Sequence, residues 1–135
     1  MKYLLLLSVF ASVLLSAELT PKRIIEASGN VQQIALVEGK IVVGTSVGTV
    51  ETYQLSDASK LSLVQFPKIK DFIGDEVAPK VFSVDRIESS LLAVVQASNG
   101  ARELYRIDEG KPQVLIDSSA NLFISKAKFV DKNRI

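Results

Sequence analysis

From Val31 onward, short apolar runs alternate with turn-forming clusters along the chain. Residues 31–37 carry Ile34 and Leu36 and are followed by Glu38-Gly39. Residues 41–45, with Val42 and Val43, form a run of the kind buried on both faces. Ser46-Val47-Gly48 then turns the chain, and residues 49–55 alternate polar and apolar positions. Residues 56–60 read as a loop and residues 61–66 as a fourth strand. Val- and Ile-rich runs of this length, broken by Gly, Ser, Asn and Asp, are strand and hairpin signals. No stretch after Leu15 keeps a helical apolar period long enough to compete.

The order then recurs. Residues 81–84, with Phe82, predict a strand, and Ser89-Ser90 lies in a turn. Residues 91–96 predict a buried strand, and Asn99-Gly100 suits a hairpin that needs positive φ. Residues 102–107 alternate, residues 108–111 turn, and residues 112–116 read as an edge-like strand. Pro112 fits there because an edge or strand-start position can spare the missing N–H. A third copy opens at residues 124–130. First strands therefore begin near residues 31, 81 and 124, which are 50 and then 43 residues apart.

A period of roughly 40–50 residues with four strands per unit is the signature of a β-propeller. The predicted fold is all-β: four-stranded antiparallel blades, with blade 1 at residues 31–66, an inter-blade loop at 67–80, and blade 2 at 81–116. The start of blade 3 falls at 124–135. Propellers typically have about 4–8 blades, so the chain is expected to be the N-terminal part of a longer protein. A small exported domain that completes its sheets by self-association is the alternative.

The first seventeen residues stand apart. Met1 and Lys2 make a basic start, residues 3–15 are apolar-rich and uncharged, and Ser16-Ala17 supplies small residues before Glu18. A charged head, a short apolar core and a small-residue site describe a secretory signal, with the cut expected after Ala17. The run is shorter than the ~20 apolar residues of a spanning helix. Residues 18–135 are thus expected in the periplasm, without stable membrane insertion after cleavage.

Composition narrows the chemistry. The chain has 135 residues, Lys+Arg 16 against Asp+Glu 15, and no His, Cys or Trp. A net charge of +1 gives no general attraction to nucleic acid. Missing Cys excludes disulfides, thiol nucleophiles and zinc ribbons, and missing His excludes a Ser-His-Asp triad. Gly39-Lys40 and the Gly44–Gly48 turn lack phosphate-loop spacing and a following helix. Ser125-Lys126 reads as strand-surface polarity. Catalytic, cofactor-binding and metal-ligating residues are accordingly not predicted.

The unusual segment is residues 67–80, above the ordinary loop length. It combines both signs of charge with an exposed-looking Phe72-Ile73. These two form a candidate partner-binding pair ringed by Lys68, Lys70, Asp75 and Glu76. In the alternative reading Phe72 and Ile73 tuck under the loop and the charges are solvated.

Residues 44–55, Gly-Thr-Ser-Val-Gly-Thr-Val-Glu-Thr-Tyr-Gln-Leu, resemble the second-to-third-strand hairpin of WD40 repeats. Gly48 would give the tight turn, Val50 would point into the blade interface, and Tyr53 would supply bulk between blades. Asn99-Gly100 and Tyr105-Arg106 match more loosely. Without His and Trp, the hydrogen-bonded tetrad of WD40 repeats is absent, so the likeness is to a WD40-like propeller. Together with the N-terminal signal and residues 67–80, the chain resembles the exported WD40-like accessory proteins of periplasmic nitrate reductase systems. That resemblance implies non-catalytic support of reductase assembly or maturation, with an exported reductase component as partner. Molybdopterin, iron–sulfur and haem groups would belong to the partners. Two other readings remain: an outer-membrane protein assembly scaffold, and a quinoprotein-like or sugar-acting propeller enzyme whose acids would be Asp71, Asp75 or Glu76.

Overall fold

The computed structural model describes residues 21–135, so the signal-like segment 1–17 lies outside the described residues. Strands β1 (Val31–Val37), β2 (Lys40–Thr45), β3 (Thr49–Gln54) and β4 (Lys60–Gln65) pair antiparallel in the order β1-β2-β3-β4. A small hairpin follows, β5 (Ile69–Lys70) against β6 (Glu76–Val77). Strands β7 (Val81–Ile87), β8 (Ser90–Gln96), β9 (Arg102–Asp108) and β10 (Lys111–Ile116) then form a second antiparallel meander. The all-β expectation stands.

Turn chemistry explains why the meanders close where they do. Glu38 and Gly39 take φ of 51° and 71°, the positive pair that a two-residue hairpin demands. Asn99 and Gly100, at 57° and 75°, adopt the positive φ anticipated between β8 and β9. Pro112 sits on β10, the edge of the second sheet, where its missing donor costs no ladder bond.

The two sheets are copies in detail. Ser46 N donates to Asn30 O at 2.8 Å, and Gln96 N donates to Lys80 O at 2.8 Å, fifty residues on. Both first strands carry a register irregularity at the same place, between Val31 and Gln33 and between Val81 and Ser83.

The sheets stack through Val42, Val50, Val64 and Phe66 of the first and Val84, Leu91, Ala93 and Ile107 of the second. Phe66 meets Tyr105 edge-on at 4.9 Å between ring centroids. Strand β7 packs mainly on β1 and β2. Gly44 permits that approach, because a Cβ there would lie 2.8 Å from Val81 Cγ1 and 3.1 Å from Val81 O. Gln33 fastens the junction from its side chain, its Oε1 accepting from Val84 N at 2.8 Å.

Two unlike faces meet in this stack. Fifty residues before Val84, Leu91 and Ala93 stand Ile34, Ile41 and Val43. Those three lie on the opposite side of the first sheet from Val42 and Val50, as the strand alternation requires. The second sheet therefore uses against the first the same face that the first turns away.

Several boundaries differ from expectation. β7 runs on through Asp85 and Arg86 to Ile87, because these residues pair with Leu92, Leu91 and Ser90. The segment 67–80 is not an open loop but contains the β5–β6 hairpin. Residues 124–130, expected as a strand, carry no ladder. A strand needs a backbone partner, and this segment meets side chains instead. Ser83 Oγ bonds Ala127 N and O at 3.3 and 3.4 Å, and Asp85 Oδ2 accepts from Phe129 N at 2.8 Å. Ile124, Ala127 and Phe129 thereby cover Leu92, Val94 and Leu104 on the far face of the second sheet.

Candidate interaction rim

Four connections meet at one end of the stacked sheets. Gln65 Nε2 donates to Val47 O at 3.0 Å, tying the β2–β3 turn to the end of β4. Pro79, at the end of residues 67–80, lies against Gly48. The ring of Phe72 lies over Gly100 in the β8–β9 turn, so close that a Cβ on Gly100 would fall 2.9 Å from Phe72 Cζ. Beyond Gly100, the connection from β10 lines a cavity of about 260 Å³ together with residues 99–102.

The β5–β6 hairpin is built around Asp71. Its Oδ1 accepts from Ile73 N at 3.0 Å and Asp75 N at 2.9 Å, and Asp71 N donates to Asp75 O at 3.0 Å. An Asp that bonds the backbone two residues on is the standard device for holding such a turn. The carboxylate considered as a candidate acid is thus engaged in holding the turn. Ile69 pairs with Val77 on the half-buried face, and Lys70 pairs with Glu76 on the exposed one. Lys68 and Asp75 are exposed as well. At the tip, Phe72 is 79% and Ile73 83% exposed. The structure thus brings the six sequence-predicted residues onto one hairpin and its base, and the tucked-under alternative does not hold.

Sequence reasoning overlooked a second feature of this rim. Arg102, the first residue of β9, lies against two aromatic rings, its guanidinium carbon 3.9 Å from the Phe82 centroid and 4.2 Å from that of Phe123. Its Nη1 donates to Ile124 O at 2.9 Å. Phe123 is itself 78% exposed. Phe82, Arg102 and Phe123 are separated in sequence, so only the crossing of the β10 connection over β9 unites them.

Sequence reasoning also missed a buried polar network. Thr49, Glu51 and Tyr53 occupy alternate positions of β3 and so share one face. Glu51 is fully buried. One carboxylate oxygen accepts from Ser28 N at 2.9 Å and Thr49 Oγ1 at 2.7 Å. The other accepts from Tyr53 OH and from Lys60 Nζ, the latter at 2.9 Å. Thr45 Oγ1 extends the chain to Thr49 Oγ1 at 2.6 Å.

Burial alone would push the Glu51 carboxyl up. The bonds from Tyr53, Lys60 and Ser28 outweigh it and hold the group well below the ordinary value of 4.5. Tyr53 responds oppositely, raised by burial and by its bond to Glu51. Tyr53 lies on the face turned away from the second sheet, so its bulk does not fill the space between the two described sheets. The tetrad residues of WD40 repeats are missing, yet this hairpin carries a hydrogen-bonded network of other residue types.

The same outer face continues as an apolar groove. Ile34, Leu36, Ile41 and Val43 line a cavity of about 320 Å³ beneath residues 23–27. Among the described residues no group of three His, Cys, Asp or Glu side chains could hold a metal ion. Also among them, no helix is long and apolar enough to cross a membrane. No family model, curated protein or solved structure matches the chain.

Proposed function

We propose that this chain is a non-catalytic docking scaffold whose rim, led by the β5–β6 hairpin, captures an exported protein partner. The observation that carries the reading is the near-complete exposure of Phe72 and Ile73 at the tip of a hairpin fixed by Asp71. Phe72 and Ile73 are the two most exposed large apolar side chains among the described residues, and aromatic anchors are frequent centres of binding energy.

In this reading the two sheets are blades of a WD40-like β-propeller. Support comes from the use of unlike faces in the stack, because such a head-to-tail contact repeats in one direction and closes into a ring where the rotation allows. The resemblance to accessory proteins of periplasmic nitrate reductase systems supplies the first partner to try, a component of that reductase, and a periplasmic location.

The test is capture of purified reductase components by the full chain and by a Phe72→Ser/Ile73→Ser variant. Loss of a hot-spot pair weakens binding by at least ~2 kcal/mol, about thirtyfold. Far-UV circular dichroism of the variant should stay unchanged. Equal capture by both proteins overturns the assignment of the hairpin. Cell fractionation checks the location independently.

A further inference from the structure

The cavity beside the β8–β9 turn contains a guanidinium held in an unusual way. The guanidinium carbon of Arg102 lies over the rings of both Phe82 and Phe123. One in-plane donor is used on Ile124 O. The other in-plane donors have no partner among the described residues, and Arg102 lines the 260 Å³ cavity. With two rings against the guanidinium, its N–H edge is what remains for a ligand to meet. That edge is a rigid donor fork matched to a planar two-oxygen acceptor.

The surroundings select among anions. Asn99, Ser118 and Asn121 add neutral polar groups to the lining, and Leu122 and Phe123 add apolar ones. Two carboxylates lie near, both already engaged. Glu103 accepts from Ser118 N at 3.2 Å and from Tyr105 OH at 2.6 Å, and Asp117 Oδ1 accepts from Ser119 N at 2.8 Å. Arg102 is the single cation in the lining, and repulsion from the neighbouring carboxyl groups grows with ligand charge, so a monoanion is less disfavoured than a phosphate dianion. The volume is below the ~300–1,000 Å³ of drug-sized sites, which limits the occupant to a small group.

We infer that this cavity binds a carboxylate carried by a protein segment with a neighbouring apolar side chain, the carboxylate on the edge of Arg102 and the apolar group on Phe123. The inference rests on the reading of this rim as a docking surface and names the chemistry of what docks. Arg102 also latches residues 123–124 to the second sheet, and that purely structural role gives no acid-over-amide preference.

The experiment titrates the full chain with two pairs of acetylated peptides, followed by amide chemical shifts of residues 99–102 and 121–123. The first pair ends in Leu as free acid or as amide. The second is amidated and carries Leu followed by Glu or by Gln. In at least one pair the carboxylate form should bind about tenfold tighter or more. The pair that discriminates identifies a chain terminus or an acidic side chain as the source.

Arg102→Gln should abolish the difference, and Arg102→Lys, which keeps charge but not the fork, should lose most of it. Equal binding of acid and amide by the unaltered protein in both pairs overturns the inference, as does discrimination that survives in Arg102→Gln. The unaltered protein alone decides the matter should either variant fail to fold. Ile73→Ser, which leaves Phe72 on Gly100, should keep acid-over-amide discrimination while weakening capture of the partner, which separates failure of the cavity from failure of the hairpin.

Discussion

Replacing Glu51 by Ala tests whether the buried network holds the N-terminal segment onto the first sheet. The carboxylate accepts four donors, and each fares differently when it is removed. Lys60 is partly exposed and can turn to water. Thr49 keeps Thr45 at 2.6 Å, and Tyr53 OH keeps Glu26 O at 3.3 Å. Ser28 N alone is left without its acceptor. A stranded amide costs about 1–3 kcal/mol, and losing the charge-assisted bond from Tyr53 adds roughly 1.5–3 kcal/mol. The sum is on the order of 4 kcal/mol, a large part of the ~5–15 kcal/mol that holds a typical domain.

For a domain of this size that corresponds to a fall in Tm of roughly 10–20 °C. Thermal melts give the total, and hydrogen exchange at Ser28 locates it. The amide of Ser28 should lose protection ahead of the strands. Glu51→Gln, which keeps one acceptor, should fall in between. A loss below about 1 kcal/mol in Glu51→Ala, with Ser28 protection unchanged, refutes the claim that the network clamps this segment.

Acid should act through the same carboxyl. Glu51 is held below 4.5 in the fold, so at low pH the unfolded chain binds the extra proton. Its contribution is complete above that value and declines as pH falls beneath it. Urea melts from about pH 6 to about pH 3 should show a flatter acid limb in Glu51→Gln than in the unaltered protein. Asp108, lowered by its bond from Ser90 against the opposing effect of burial and helped by Arg106, is common to both and cancels. At the sheet junction, Gly44→Ala pushes a methyl against Val81, including its backbone oxygen at 3.1 Å. Over-packing of this kind should cost about 1–3 kcal/mol in urea melts. Stability unchanged in Gly44→Ala would mean that β7 does not lie where the stack places it.

Much of the architecture was legible because period-two alternation and turn chemistry are local. Residues 31–37, 41–45, 91–96 and the Asn99-Gly100 turn follow from side chains within a few positions of one another. What failed was non-local. Asp85-Arg86 reads as a polar break, yet β7 passes through it because β8 pairs with it and Phe129 N bonds Asp85. Residues 124–130 have strand composition but no ladder, since a strand is a property of two paired segments and not of one. The exposure of Phe72 was readable from its charged setting, whereas Arg102 was not, because both rings that grip it come from other elements.

Glu51 shows why polar residues in strands mislead. In the alternating run Thr49-Val50-Glu51-Thr52-Tyr53, a wet face opposite a dry one is the natural reading. Both faces are buried, because the second sheet covers Val50 while residues near Ser28 reach Glu51 from the other side. One clue was present. Three successive positions of a single face, 49, 51 and 53, can each share a hydrogen bond with the next, and Thr45 across the turn can join them. A solvated strand face has no need of such mutual complementarity, whereas a covered face must satisfy every polar atom. Chains of reciprocal donors and acceptors at spacing two therefore mark strand faces that something else covers, and here that something precedes β1.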